Sequence, residues 1–201
     1  MPEHKPTKIK ILKAAKELFI DNGYHDTSMA AIAEMADLGK GTLYWHFDSK
    51  SELFQSMISR EVKIIFDELN KLSNADLKAE EILKKFIKIR LIRIMEYKKT
   101  TQMFMDSENF VNDEFKKTML ELFESFIGLL TDTIKQGIEE GVFYTENPEK
   151  TAIAFLGMIN GICTATLLND EESMDIEKTT SFIYDLFLNG LKIKKGENNI
   201  D

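Results

Sequence analysis

Thr27, Ser28, Lys40, Gly41, Thr42, Tyr44, Trp45, His46 and Lys50 crowd into one short stretch of the chain. They are hydroxyls, ammoniums, ring donors and a glycine, the types that hold a phosphate diester or come close to a base edge. Apolar neighbours fix their placement. Between the apolar run that ends at Ala36 and the one that starts at Leu43 lie only Asp37, Leu38, Gly39 and the helix-opening Lys40, Gly41 and Thr42, a spacing that suits two helices meeting at a steep angle. Thr27 and Ser28 are natural caps of the first helix, and their hydroxyls and the free N–H groups of its first turn can also hold a phosphate oxygen. In the second helix Leu43 and Phe47 face a core, which leaves Lys40, Gly41, Thr42, Tyr44, Trp45 and His46 on the opposite side. Each of the three aromatic side chains could instead serve packing. Ser49-Lys50-Ser51-Glu52 then reads as a capping box ahead of Leu53 and Phe54, placing Lys50 in the first turn of a further helix, at another positive helix end.

Other chemistries fit the same residues poorly. Gly39-Lys40-Gly41-Thr42 is not a nucleotide-binding loop, which needs G-x-x-x-x-G-K-[ST] after a strand. The histidines, His4, His25 and His46, form no metal-binding pair, and Cys163 stands alone. No enzyme, cofactor or metal is therefore expected. A single cysteine excludes a disulfide within the chain and suits a reducing cytoplasm. Lys13, Lys16 and Glu17 interrupt what would be the apolar part of a signal peptide. The net charge of −8 is unevenly spread: the first sixteen residues carry Lys5, Lys8, Lys10, Lys13 and Lys16 against Glu3 alone, so the local field favours a phosphate backbone. Lys5 and Lys8 are the better candidates, because Lys13 and Lys16 suit a solvated helix face equally well.

The stretch Thr27-Ser28-x-x-x-Ile32-Ala33, the turn, Lys40-Gly41-Thr42-Leu43-Tyr44-Trp45-His46-Phe47 and Lys50-x-x-Leu53 resemble the DNA-binding segment of TetR-family regulators. The likeness extends upstream through Ile11-Leu12-Lys13-Ala14-Ala15-Lys16-Glu17-Leu18-Phe19 and Asn22-Gly23-Tyr24, covering residues 7 to 54. The chain departs from the family pattern at Asp37, where Gly is usual, and at Gly39, where Ser or Thr is usual; Asp tolerates a left-handed backbone and Gly is an acceptable cap. The resemblance implies an all-α fold of about nine helices, with a three-helix helix-turn-helix domain over 1–54 and an effector-binding and dimerisation domain over 55–201, joined by a helix from about 50 to 72. It also implies a DNA-binding regulator, most simply a cytoplasmic homodimeric repressor of an inverted-repeat operator, released by a small, largely apolar effector. Lys8, Thr27, Ser28, Lys40, Gly41, Thr42, Tyr44, Trp45, His46 and Lys50 would contact double-stranded DNA. A helical small-molecule or lipid-binding module without specific DNA binding remains the alternative, separable by salt-dependent binding to a palindromic fragment.

Composition agrees with the fold: 43% hydrophobic residues, 3 Pro and 10 Gly, with helix-period patterning nearly throughout. A helix from about Leu77 to Tyr97 is apolar around its circumference and should be central. Arg90 and Arg93 on it either pair with Glu96, Asp106 or Glu108 or recognise an anionic effector. With Met103, Phe104, Phe110, Phe115, Met119, Phe123 and Met158 they form the candidate effector site, although such a Met and Phe set also makes an ordinary core. Thr151 to Asn169 carries no charge and contains Gly157-x-x-x-Gly161, yet Asn160, Thr164 and Thr166 dilute it and no positive-inside flank appears, so a buried soluble helix is expected and no membrane. With the last helix, about Ile176 to Ile193, it suits a four-helix dimer interface, to which we assign Phe155, Ile159, Cys163, Leu167, Phe182, Ile183, Leu186, Phe187 and Gly190.

Overall fold

A computed structural model describes residues 4–73, 76–96, 98, 112–168 and 173–191 of the 201-residue chain. Among the described residues the backbone forms eight α-helices and no strand: α1 (His4–Asn22), α2 (Met29–Met35), α3 (Lys40–His46), α4 (Lys50–Ser73), α5 (Ala79–Glu96), α6 (Asp113–Glu139), α7 (Pro148–Leu168) and α8 (Ile176–Leu191). Met103, Phe104 and Phe110 lie outside the described residues. The starts of these helices are written locally. Ser28 Oγ accepts from Ala31 N at 3.1 Å, Ser49 Oγ from Glu52 N at 3.1 Å, and Asn112, Asn147 and Asp175 cap α6, α7 and α8 in the same way. Glu52 reaches back to Asp48 N at 2.7 Å, closing the box one residue earlier than the usual reciprocal bond.

Two compact units result. The described parts of Met1–Ile64 and Tyr97–Leu122 make one, and Ile65–Glu96 with Phe123–Asp201 makes the other. Within the first unit Met57 on α4 belongs to the same core as Leu53 and Phe54, and the unit continues along that helix to Ile64, inside the span of about 50 to 72 expected for the linking helix. That core joins Ile11, Leu12, Ala15 and Phe19 of α1 to Ile32 and Ala33 of α2, Leu43 of α3 and the α4 residues. Phe19 meets Phe54 edge-on at 5.2 Å, and Tyr24 closes the triangle at 5.6 and 5.1 Å, geometry that adds to plain area burial.

In the second unit α5 is central, as its all-round apolar pattern predicts: Ile82, Leu83, Phe86, Ile87 and Leu91 are buried, and the helix packs on both α7 and α8. A file of rings crosses the unit, Phe126 to Phe86 at 6.1 Å, Phe86 to Phe155 at 6.0 Å and Phe155 to Phe187 at 4.5 Å. At the end of α6, Gly141 takes φ +73° and Phe143 folds its ring over Gly137, where an added Cβ would meet that ring at 2.1 Å. Helix α7 is long and apolar enough to cross a membrane by length and composition. One side of it, Phe155, Leu156, Ile159, Cys163 and Leu167, is buried in the unit's core, while Ile153, Gly157, Gly161 and Leu168 are exposed.

Candidate functional site

The turn between α2 and α3 is tight because Asp37 adopts φ +50° and Leu38 N bonds to Ala33 O at 2.9 Å. Among non-glycine residues Asp is one of the few that takes this conformation readily. Helix α3 is then pinned from below. Leu43 and Phe47 are buried, whereas Lys40, Gly41, Thr42, Tyr44 and Trp45 are exposed, and His46 is half-buried beneath the Trp45 ring at 4.7 Å. Tyr44 keeps 52% and Trp45 65% of its surface, an arrangement that gains nothing from burial within the subunit. An added Cβ at Gly41 would meet no atom within 4 Å, so no packing inside the subunit requires glycine there. Ser28 lies exposed at the start of α2 as its N-cap. Lys8 is exposed on α1 with Nζ 5.2 Å from the Phe47 ring, beside α3.

Two of the expected phosphate ligands have other work. Thr27 is buried, and its single hydroxyl proton is shared between Gly23 O at 2.7 Å and Leu18 O at 3.1 Å, tying the turn to the end of α1. Lys50 Nζ donates to Tyr24 O at 2.7 Å, Thr27 O at 3.0 Å and His25 O at 3.2 Å, and lies 4.4 Å from the Tyr24 ring. Burial pushes its ammonium below the usual lysine value, with Asp26 pulling the other way. In the structure both side chains staple the α1–α2 turn, a role the sequence did not disclose. Their acceptors are backbone carbonyls, which side-chain spacing does not reveal.

The second unit rearranges the remaining expectations. Arg93 is ion-paired, Nη1 to Glu96 at 2.8 Å and Nη2 to Glu68 at 3.0 Å, the internal pairing that the sequence also allowed; those bonds raise its pKa further. Arg90 sits deeper: Nη2 donates to Asn160 Oδ1 at 2.9 Å, its Nε is buried without an acceptor, and the guanidinium lies 5.8 Å from the Phe126 ring centre. Phe115 is buried and Met119 half-buried on the part of α6 that belongs to the first unit. Phe123 and Met158 line open surface grooves, Phe123 with Ile127 and Ile153, Met158 with Ala154, Leu186 and Phe187. Neither groove includes Arg90. The interface assignment divides likewise. Phe155, Ile159, Cys163, Leu167, Ile183 and Phe187 are buried within the subunit's own core, Phe187 at the edge of the groove that Met158 lines. Phe182 and Leu186 stay 59% and 51% exposed. Gly190 closes the same helix. Ile153, Gly157, Gly161 and Leu168 lie on the outward face of α7, and the sequence-based interface assignment included none of them.

Residues 11–57 match the family model for bacterial regulatory proteins of the tetR family, and residues 76–164 match that for the tetracyclin repressor-like C-terminal domain. The chain belongs to the TetR family. TetR-family members are transcriptional regulators with a DNA-binding helix-turn-helix, here α2 and α3, and not enzymes. The regulator QacR of Staphylococcus aureus is 28% identical, over 92% of this chain and 97% of its own. A fatty acid metabolism regulator of Bacillus subtilis is 22% identical over 96% of this chain and all of its own length (100%). The structure of FadR from Bacillus subtilis in complex with stearoyl-CoA superposes with a TM-score of 0.73 at 20% identity, covering 92% of this chain and 99% of that one. The TetR-type fold thus runs through both units.

Proposed function

We propose that this TetR-family protein is a homodimeric repressor that places α3 of each subunit in successive major grooves of an inverted repeat and leaves the operator when a small, largely apolar effector binds its second unit. The observation that carries this reading is α3 itself: one side is locked in the core by Leu43 and Phe47, and the other offers Lys40, Thr42, Tyr44 and Trp45 to solvent. Lys40, Gly41 and Thr42, at the amino end of the helix, are the candidates for base contact, as recognition helices present their first residues to base edges. Tyr44, Trp45, His46, Ser28 and Lys8 would position the backbone.

Dimerisation is supported by an apolar face that the subunit leaves open. Ile153, Gly157, Gly161 and Leu168 on α7 recur at helical spacing, and Phe182 and Leu186 lie on α8, which packs against α7. Small residues at Gly157 and Gly161 allow close helix approach, and a contiguous apolar face of this kind is what subunits bury. A two-fold pairing would set the two recognition helices about 34 Å apart, which is why the operator should be an inverted repeat. An effector acts by favouring a dimer with wrongly spaced heads, a shift between two states and not a loss of fold. That relatives include a FadR solved with stearoyl-CoA is compatible with an effector of largely apolar character.

The test is fluorescence anisotropy on an inverted repeat selected from random duplexes, across a salt titration. Parent protein should prefer the site over random sequence with a steep salt dependence. Thr42→Ala and Tyr44→Ala should each weaken binding about tenfold, the cost of one good contact, while circular dichroism stays unchanged. Parental affinity in both variants across the titration would overturn the contact assignment, and absence of site preference in the parent would overturn the repressor reading.

A further inference from the structure

Arg90 and Arg93 lie three residues apart on α5 and have opposite surroundings. Arg93 has two carboxylates, Glu68 and Glu96. Arg90, deeper in the unit, makes no ion pair with any described carboxylate: its described partners are the neutral Oδ1 of Asn160 and the Phe126 ring, and its Nε–H is buried without an acceptor. Cys163, one helical turn beyond Asn160 on α7, does not supply the missing charge. Burial pushes its thiol above the usual value against the opposing pull of Arg90, which leaves it protonated at neutral pH.

A guanidinium in such a place is costly. Taking it from water is repaid only when an anion and further hydrogen bonds meet it, and a neutral amide with one aromatic face does neither fully. An apolar side chain of similar length would serve the core better, so the charge points to a state in which an anion is present. The local chemistry also describes the rest of that anion's molecule. The guanidinium faces the Phe126 ring at 5.8 Å, and Phe86 and Phe66 pack edge-on against that ring at 6.1 and 5.4 Å, so the cation borders an aromatic, apolar part of the unit. The orphaned Nε–H is a donor fixed in the guanidinium plane, and the Asn160 side chain that accepts from Nη2 carries N–H donors of its own.

We infer that Arg90, assisted by Asn160, is the anchor for an amphipathic anion, an effector with a carboxylate or phosphoryl head and an apolar body on the Phe126 side of the cation. This rests on the reading that the second unit binds the effector and adds the chemical class of that effector. The two acidic heads share the same recognition, a delocalised pair of oxygens facing a planar cation.

The test compares four ten-carbon probes, decanoate, decyl phosphate, decanol and decyltrimethylammonium, by calorimetric titration of the full-length protein and of Arg90→Met. At least one anion should bind the parent about tenfold or more tightly than decanol, since a charge-assisted bond is at stake, and which of the two does so identifies the head. The cation should bind worst. Arg90→Met should bind all four probes with nearly equal, weak affinity, and its urea midpoint without ligand should equal or exceed that of the parent. Three results would overturn the inference: decanol binding the parent as tightly as both anions or none of the probes binding it, Arg90→Met keeping the head-group preference, or Arg90→Met unfolding at clearly lower urea, which would mean that Arg90 already has a structural partner. Operator binding measured in parallel separates the two readings. Loss of head-group preference in a parent that still binds its inverted repeat defeats the anchor alone, whereas a parent that binds no repeat defeats the repressor reading.

Discussion

Replacing Lys50 with Met distinguishes a staple from a phosphate ligand, because the two roles fail in different measurements. The Met side chain keeps the apolar stem and removes three hydrogen bonds of 2.7, 3.0 and 3.2 Å together with the contact to the Tyr24 ring. A hydrogen bond from a charged donor contributes about 1.5 to 3 kcal/mol, and the three share one partly exposed cation, so their values do not add. Counting one bond fully, the two longer ones at about 0.5 kcal/mol each because their carbonyls can regain water, and the exposed ring contact at about 0.5 kcal/mol gives a loss of about 3 kcal/mol. This is a large share of the 5 to 15 kcal/mol typical of a folded domain. Urea unfolding followed by circular dichroism should therefore show a clear drop in the midpoint of the first unit. Operator affinity should fall by a similar factor at every salt concentration, since a loosened α1–α2 turn misplaces α2 without removing a phosphate contact. A phosphate ligand would behave otherwise: the slope of log affinity against log salt would shrink by about 0.9 per lost contact. A variant with the parental urea midpoint and a slope reduced by that amount would refute the staple.

The other perturbations separate fold from binding. Gly41→Ala should stabilise the protein by about 0.5 to 1 kcal/mol through helix propensity, because the added Cβ has open space inside the subunit, while weakening operator binding; a variant that gains stability and keeps full affinity would show that α3 does not approach DNA at Gly41. Phe182→Glu should yield a folded monomer by light scattering, because that ring is exposed, and an unchanged mass would count against the α7–α8 face. Phe187→Ala should instead destabilise the subunit by about 3 kcal/mol or more, since its ring packs 4.5 Å from Phe155; a well-folded monomer from this change would reverse the two assignments. Thr27→Val should lower the urea midpoint by about 1 to 3 kcal/mol, leaving Leu18 O and Gly23 O without their donor, with no change in the salt slope.

What the sequence could disclose depended on whether each feature is local. The helix starts were legible because Ser28, Ser49 with Glu52, Asn147 and Asp175 act on N–H groups within three or four residues, and the exposed face of α3 followed from Leu43 and Phe47 being four apart. The turn was legible for the same reason, with Asp37 taking the left-handed conformation its side chain tolerates. Lys50 escaped because its acceptors are carbonyls 23 to 26 residues away, and a lysine at a helix start looks the same whether it faces phosphate or a turn. Of the carboxylates the sequence suggested for Arg93, Glu96 is a partner, whereas its second partner, Glu68, lies 25 residues back on α4 and was not among them. The interface shows the limit most clearly. Helix α7 is apolar on nearly every side, so periodicity gives no phase: Phe155, Ile159, Cys163 and Leu167 were as plausible an outer face as Ile153, Gly157, Gly161 and Leu168. Packing on α5 and α8 breaks the tie by burying the larger members of the first set. The face left over is the one with glycines at its centre, which is the cheaper choice physically, because small side chains lose little by remaining uncovered until a second helix closes on them.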